Sequence, residues 1–353
     1  MKKKIAIFQY DLNVGGIQKS LLNLLNNIDV DKYQIDLFLF SNVNFFEKEI
    51  PSSINIKKVK PLGLIEKRLP FNFLLKVKRN IYSEEIYDLA IDFDSYQNDT
   101  ALGALKVNAK KRCIWIHNDA SEKYKEEFKY RVIHKLAKSK YKFFDLFIGV
   151  SKGAIPSFKK LNKLDEKEYL VIPNFIDAKE IIAKSKEKID IKVDKNKYNF
   201  VSVGRICHQK GFDILLFKLK ELIKYRNDFH FYLIGDGPDR KKIETIIKKE
   251  NLLSYVTLLG NQKNPFKYLN NFDGFCLTSR YEGQGMVILE AKVLGLEIFI
   301  SKNLEKYNEG IKGYNNIVDG MKIAKKRTKK IDNLIDYNKN IKNSLEELFE
   351  GKK

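Results

Sequence analysis

The tightest constraint on this chain is an alternation. Short apolar runs at residues 5–10, 35–40, 89–93, 113–116, 146–150 and 169–172 are each followed by a longer stretch with helical spacing, and the pattern restarts at 200–203, 231–234, 256–259 and 274–277. Runs this short and this apolar suit strands buried on both faces, and the interleaved helices are what would cover them. The pattern therefore predicts an α/β chain with parallel sheets. A chain of 353 residues exceeds one ordinary core and suits two domains of about 150–180 residues each. The break falls at 179–197, a charged stretch with few large apolar residues beyond isoleucine. The expected division is residues 1–178, a linker at 179–197, a second domain at 198–330, and an amphipathic tail helix within 331–353 that packs back toward the first domain.

In such folds the chemistry gathers where a strand gives way to a helix, because the first helical N–H groups are unpaired and that end carries partial positive charge. The most informative joint is Ser279-Arg280-Tyr281-Glu282-Gly283-Gln284-Gly285-Met286-Val287-Ile288-Leu289-Glu290-Ala291. Glu282 and Glu290 stand eight positions apart with two glycines between them. Eight residues of helical rise span roughly 12 Å, a length that lets acceptor carboxylates meet hydroxyls at both ends of one ligand. Taken alone, two glutamates better suit a solvated helix start, and it is the rest of the chain that reverses this. A second joint is Gly204-Arg205-Ile206-Cys207-His208-Gln209-Lys210-Gly211, where two cations follow a strand. Arginine can hold two phosphate oxygens at once and lysine adds a compact charge. The spacing is not that of a P-loop. A third joint, Gly15-Gly16 before the amphipathic stretch at 17–25, offers bare backbone to a phosphate or sugar. His117, after Trp115-Ile116, sits at the carboxyl end of a strand, where open α/β sheets bind ligands.

Charge narrows the partners. The formal net charge is +21 and the pI is about 9.5, which points to an anionic partner: a phosphorylated substrate, a lipid headgroup or a nucleic acid. Lysine, asparagine and isoleucine are abundant throughout, so part of the excess is compositional. No nucleic-acid motif accompanies it. Residues 122–142 carry eight Lys or Arg against three Glu, and Tyr124, Phe128, Val132 and Leu136 recur every four residues, a stripe expected to pack on the sheet and leave lysines for lipid contact. Phe71, Phe73, Leu74 and Leu75 beside Lys76, Lys78 and Arg79 form a similar patch. Cys113, Cys207 and Cys276 have neither metal nor disulfide spacing and read as buried thiols. Polar Gln9 and Asp11 interrupt the apolar N-terminal run too soon for a signal peptide, and no run reaches the ~20 residues of a membrane-spanning helix. A cytosolic protein with surface contact to a membrane is expected.

With these motifs in order, the sequence resembles the retaining glycosyltransferases of the GT-B fold that carry an E-x7-E motif. The matching segments are GGIQKSLLNLL, WIHND, GVSKG, VIPNFID, VGRICHQKGFDILL, YLIGDGP, LLGNQKNP and SRYEGQGMVILEAKVLG. The resemblance implies two Rossmann-like domains facing a central cleft, the second holding a nucleotide-sugar. Arg205 and Lys210 would neutralise the diphosphate, with Gly204 in their loop. Glu290 would hold the ribose hydroxyls, and Glu282 would place the transferred sugar. The backbone of Gly283, Gln284, Gly285, Met286 and Val287 would cradle sugar and phosphate, Gly15 and Gly16 would close on the diphosphate, and His117 would hydrogen-bond the sugar. No metal and no cofactor are implied. The expected activity moves a hexose or N-acetylhexosamine from a UDP- or GDP-linked donor to a glycan or lipid-linked acceptor, with retention, at the inner membrane face. The alternative is a non-catalytic relative that binds anionic polymer or membrane. After Gly295 the chain departs from the family, running Leu296-Glu297-Ile298-Phe299 where a proline and a Gly-Glu turn are usual.

Overall fold

The computed structural model describes residues 2–77, 82–326 and 328–352. The chain divides into two compact units, Met1–Phe175 with Asp336–Lys353, and Ile176–Ile335.

The first unit is built from β1 (Lys3–Gln9), α1 (Gly16–Leu25), β2 (Tyr33–Leu39), β3 (Asn55–Lys58), α2 (Phe71–Val77), β4 (Ile86–Asp92), α3 (Asn98–Lys106), β5 (Asn108–Ile116), α4 (Ala120–Glu126), α5 (Phe128–Ala137), β6 (Leu146–Gly149), α6 (Ala154–Asn162) and β7 (Glu168–Val171). Its strands form one sheet in the order β3-β2-β1-β4-β5-β6-β7, and every pair is parallel. Alternate residues of β1 serve opposite faces, as a period of two requires: Ile5 and Ile7 join the core containing Leu21 and Leu25, whereas Ala6 and Phe8 join the one containing Leu102 and Phe147.

The second unit comprises α7 (Ala178–Ser185), β8 (Tyr198–Val203), α8 (Phe212–Leu222), β9 (Phe229–Ile234), α9 (Arg240–Lys249), β10 (Val256–Gly260), α10 (Phe266–Leu269), β11 (Gly274–Leu277), α11 (Met286–Val293), β12 (Glu297–Ser301), β13 (Gly313–Tyr314) and α12 (Ile317–Met321). Its sheet runs β10-β9-β8-β11-β12-β13, again parallel throughout. Each sheet has one place where the order of strands turns back, between β1 and β4 in the first and between β8 and β11 in the second. Loops leaving neighbouring strands in opposite directions open a crevice there, at the carboxyl edge.

The last helix, α13 (Ile335–Phe349), returns to the first unit. Ile341, Leu345, Leu348 and Phe349 lie in the same core as Ile5 and Leu37. The Phe349 ring meets Tyr33 at 5.0 Å, and the Tyr337 hydroxyl donates to the Asn174 carbonyl at 3.0 Å.

Two local expectations need correction. The stretch read as a linker begins with α7, which the Asp177 side chain caps by accepting the Glu180 N–H at 2.8 Å; Ile181 is buried. Residues 122–142 do not form one helix whose stripe packs on the sheet. Asp119 caps α4, and Glu127 then adopts extended geometry, φ −117° and ψ 105°. That break resets the helical phase. Tyr130, His134 and Ala137 become the buried face of α5, while Phe128, Val132 and Leu136 are exposed. In the other basic patch Phe71 and Leu74 are buried and Phe73 is exposed; Lys78 and Arg79 lie outside the described residues.

Candidate functional site

In the second unit the crevice between β8 and β11 is formed by the loop Gly204 to Gly211 and the loop Thr278 to Gly285. Backbone contacts hold them together. The Arg280 N–H donates to the Gln209 carbonyl at 2.8 Å, and the Gln209 side-chain amide donates to the Tyr281 carbonyl at 3.2 Å. Gly211 has φ +63°, and a Cβ there would stand 2.2 Å from the Thr278 carbonyl oxygen. That contact needs glycine for both space and left-handed geometry. The Gly235 turn after β9 backs the first loop equally closely, since a Cβ would meet the Gly204 carbonyl oxygen at 2.0 Å.

This framework brings Lys210 and Glu282 together. The Lys210 ammonium donates to Glu282 Oε1 at 2.7 Å, and the Ser279 hydroxyl donates to the same oxygen at 2.7 Å. Only 18% of the lysine side chain and 7% of the glutamate side chain are exposed, so solvent screens the pair weakly. Arg205 is exposed, a free guanidinium fork at the mouth of the loop, with no hydrogen bond or ion pair among the described residues. Arg280 forks onto Asp213, with contacts of 3.0 and 2.9 Å. Burial alone would raise the Asp213 carboxyl, but Arg280 and Lys242 outweigh it and hold it well below the usual carboxylate range.

Gly283, Gln284 and Gly285 lead into α11, which starts at Met286 and Val287 and carries Glu290, half-buried, in its second turn. The Gly285 N–H donates to Asn308 Oδ1 at 3.1 Å. Asn308, buried, also donates to the Leu304 carbonyl at 2.8 Å, and Asn303 bonds the carbonyls of Ser279 and Arg280. Sequence reasoning missed both asparagines. They come from the segment that departs from the resembled family, and that segment buttresses the glutamate loop.

In the first unit, Gly15 is the N-cap of α1 and Gly16 its first residue, with no side-chain cap and no acidic residue in the first turn. Asp11 organises the approach, accepting from the Asn13 N–H and the Gln18 side chain, both at 3.0 Å. His117, 7% exposed, follows β5. Its Nε2 lies 2.7 Å from the Phe93 carbonyl. A carbonyl can only accept, so the neutral ring carries its proton on Nε2 and offers Nδ1 as an acceptor. Burial lowers its pKa to about 4.

Beside it, at the carboxyl end of β4, lies a group the sequence reading overlooked. Asp92 and Lys140 are both fully buried; Lys140 donates to the Gln97 carbonyl at 3.0 Å. Asp94 Oδ2 receives a long hydrogen bond from Gln9 at 3.4 Å. Burial, then repulsion from Asp92, raises the Asp94 carboxyl to about 7 against the opposing pull of Lys140. The signal was the pair Asp92-Phe93-Asp94 ending an apolar strand, where a charge on a two-sided sheet demands a partner.

Residues 183–348 match the family model of glycosyl transferases group 1. An uncharacterized glycosyltransferase of Methanocaldococcus jannaschii, MJ1059, is 26% identical over 79% of this chain and 70% of its own length. The N-acetylgalactosamine-N,N'-diacetylbacillosaminyl-diphospho-undecaprenol 4-alpha-N-acetylgalactosaminyltransferase of Campylobacter jejuni is 27% identical over 82% of this chain and 78% of its own. Among solved structures, a variant of TarM from S. aureus, crystallised with UDP, superposes with a TM-score of 0.65 at 14% identity over 98% of this chain and 99% of its own.

Proposed function

We propose that this chain, a glycosyltransferase of the GT-B fold, moves a hexose or N-acetylhexosamine from a UDP- or GDP-linked donor to a lipid-linked or polymeric glycan with retention at the anomeric carbon. The observation that carries the reading is the Lys210–Glu282 pair in a crevice walled by two glycine-pinned loops, the first of which also carries the exposed Arg205. The Campylobacter relative, named for a diphospho-undecaprenol substrate, supports an acceptor of that kind.

In this reading the bond between the anomeric carbon and the β-phosphate oxygen breaks while the acceptor hydroxyl attacks the same face. Its proton passes to the departing phosphate oxygen. Arg205 and Lys210 meet the charge that grows on the diphosphate, an electrostatic role that needs no metal. Glu282 orients the Lys210 ammonium and presents its remaining oxygen to a sugar hydroxyl. Glu290 accepts from the ribose hydroxyls, and the amides from Gly283 to Val287 line the sugar and phosphate. On the first unit, the uncapped α1 N-terminus at Gly15 and Gly16 suits an anion, and His117 Nδ1 suits a hydroxyl. The protein works at the inner face of a membrane.

Turnover of UDP-glucose, UDP-galactose, UDP-N-acetylglucosamine and GDP-mannose tests this, with at least one expected to be hydrolysed or transferred. Lys210→Ala is expected to lower kcat by about 10²–10³, the loss typical of one such stabilising donor. Glu290→Ala should weaken nucleoside diphosphate binding about tenfold, the worth of one good hydrogen bond in a partly buried site. Wild-type activity in both variants would refute the assignment.

A further inference from the structure

The outer face of α5 is inverted relative to an ordinary surface helix. Such helices turn their apolar stripe inward; here large apolar residues face out. Phe128 is 72% exposed, Val132 47%, Ile133 46% and Leu136 46%. At 100° per residue these four cover an arc of about 140°, opposite the buried Tyr130, His134 and Ala137. Lys129 lies within that arc and Lys135 on its border, both exposed, and Arg131 stacks over the Phe128 ring at 5.3 Å. The helix contains no acidic residue; Glu126 and Glu127 precede it. Its continuation, the 3-10 segment Lys138–Phe143, adds exposed Lys138 and Lys142. That segment packs against α2, where Phe73 and Val77 are 51% and 57% exposed beside exposed Lys76.

We propose that the outer face of α5, extended by α2, is a docking surface for an anionic phospholipid bilayer, with the apolar side chains entering the headgroup boundary and the lysines and arginine meeting lipid phosphates. The proposal names the partner of the function above and takes its purpose, delivery of a bilayer-held acceptor, from that reading.

Charge decides between occupants. A second copy of the chain would press this cationic face against itself, and a protein partner would need an acidic apolar groove. An anionic bilayer offers a deep apolar layer beneath negative headgroups, which matches cations interleaved with apolar residues. A ten-residue helix is far short of the ~20 residues needed to span, so it would lie in the plane of the interface. The aliphatic contribution also changes what salt should do: attachment by lysines alone disappears as ions screen it, whereas insertion leaves a part that persists.

The test is flotation with phosphatidylcholine vesicles made with and without phosphatidylglycerol, across a salt series. Wild-type protein is expected to float with the anionic vesicles, to weaken with salt without vanishing, and to bind zwitterionic vesicles poorly. The double variant F128Q/L136Q should lose about tenfold or more in vesicle affinity, as expected for withdrawing two large apolar side chains, with an unchanged melting temperature because both positions are exposed. K129E/K135E should lose the salt-sensitive part. Unaltered binding by both variants, or equal binding to both vesicle types, would overturn the proposal. A concentration-dependent dimer that F128Q/L136Q abolishes would overturn it in favour of self-association. Donor hydrolysis without vesicles separates the two readings: F128Q/L136Q should retain it, and its absence in every protein would sink the enzymatic reading while leaving vesicle binding to stand.

Discussion

Glu282 carries two burdens at once. It accepts from Lys210 and Ser279 on one oxygen, so its removal strands an ammonium in a weakly hydrated place. Glu282→Ala should cost about 1–3 kcal/mol of stability, the range for leaving a buried polar partner unsatisfied, measured by denaturant unfolding; Glu282→Gln, which keeps an acceptor, should cost less while still impairing turnover. His117 makes a pH-dependent contribution of opposite origin. Its folded pKa of about 4 lies below the ordinary 6.5, so the folded state binds fewer protons. Its contribution is present in full above 6.5 and is lost as the pH falls toward 4. An NMR titration should show the His117 ring neutral at pH 5, and a midpoint near 6.5 would contradict the burial argument. Asp94 behaves in reverse: raised to about 7, it favours folding below the ordinary carboxylate range and loses that advantage as the pH climbs through 7. Asp94→Asn should therefore raise the melting temperature more at pH 8.5 than at pH 5.5. Residue types and order made Glu282, Lys210 and Arg205 legible in the sequence. Their pairing was not, because an ion pair across 72 positions depends on which strands become neighbours.

At the level of elements, the strands were readable because sheets covered on both faces leave unbroken apolar runs, and β8, β9 and β11 fall where those runs predict. The helices were less so. In α5 the apolar positions have helical spacing yet face outward, and only the break at Glu127 fixes the phase; no periodicity shows where one helix stops and another begins. The cap of α7, Asp177 with Glu180 three positions on, was a readable start signal obscured by the charged stretch after it. The loops of the site lean on backbone contact, so Gly211→Ala should be costly. Its Cβ would collide with the Thr278 carbonyl in a left-handed conformation, and strain of that kind costs about 1–3 kcal/mol. Lower thermal stability together with weaker nucleotide binding is expected, and an unperturbed variant would show that the two loops do not depend on this approach.

Across the whole molecule, the first unit takes part of its core from the far end of the chain. Burying Ile341, Leu345, Leu348 and Phe349 contributes on the order of 1.5–3 kcal/mol each relative to exposure, an upper estimate because the unfolded chain already hides some apolar surface. Truncation before Asp336 should lower the unfolding midpoint of the first unit and leave that of the second in place, as scanning calorimetry or hydrogen exchange would resolve; an unshifted first transition would mean that α13 is dispensable.

This returning helix has a consequence for biosynthesis. A ribosome releases the residues of β1 before those of the second unit and the residues of α13 after them, so the earlier-made unit cannot finish its core until the later-made one has already emerged. The usual order, in which the N-terminal portion matures while the rest is still being synthesised, is inverted, and throughout translation the incomplete sheet is left with an uncovered apolar seam for chaperones to guard.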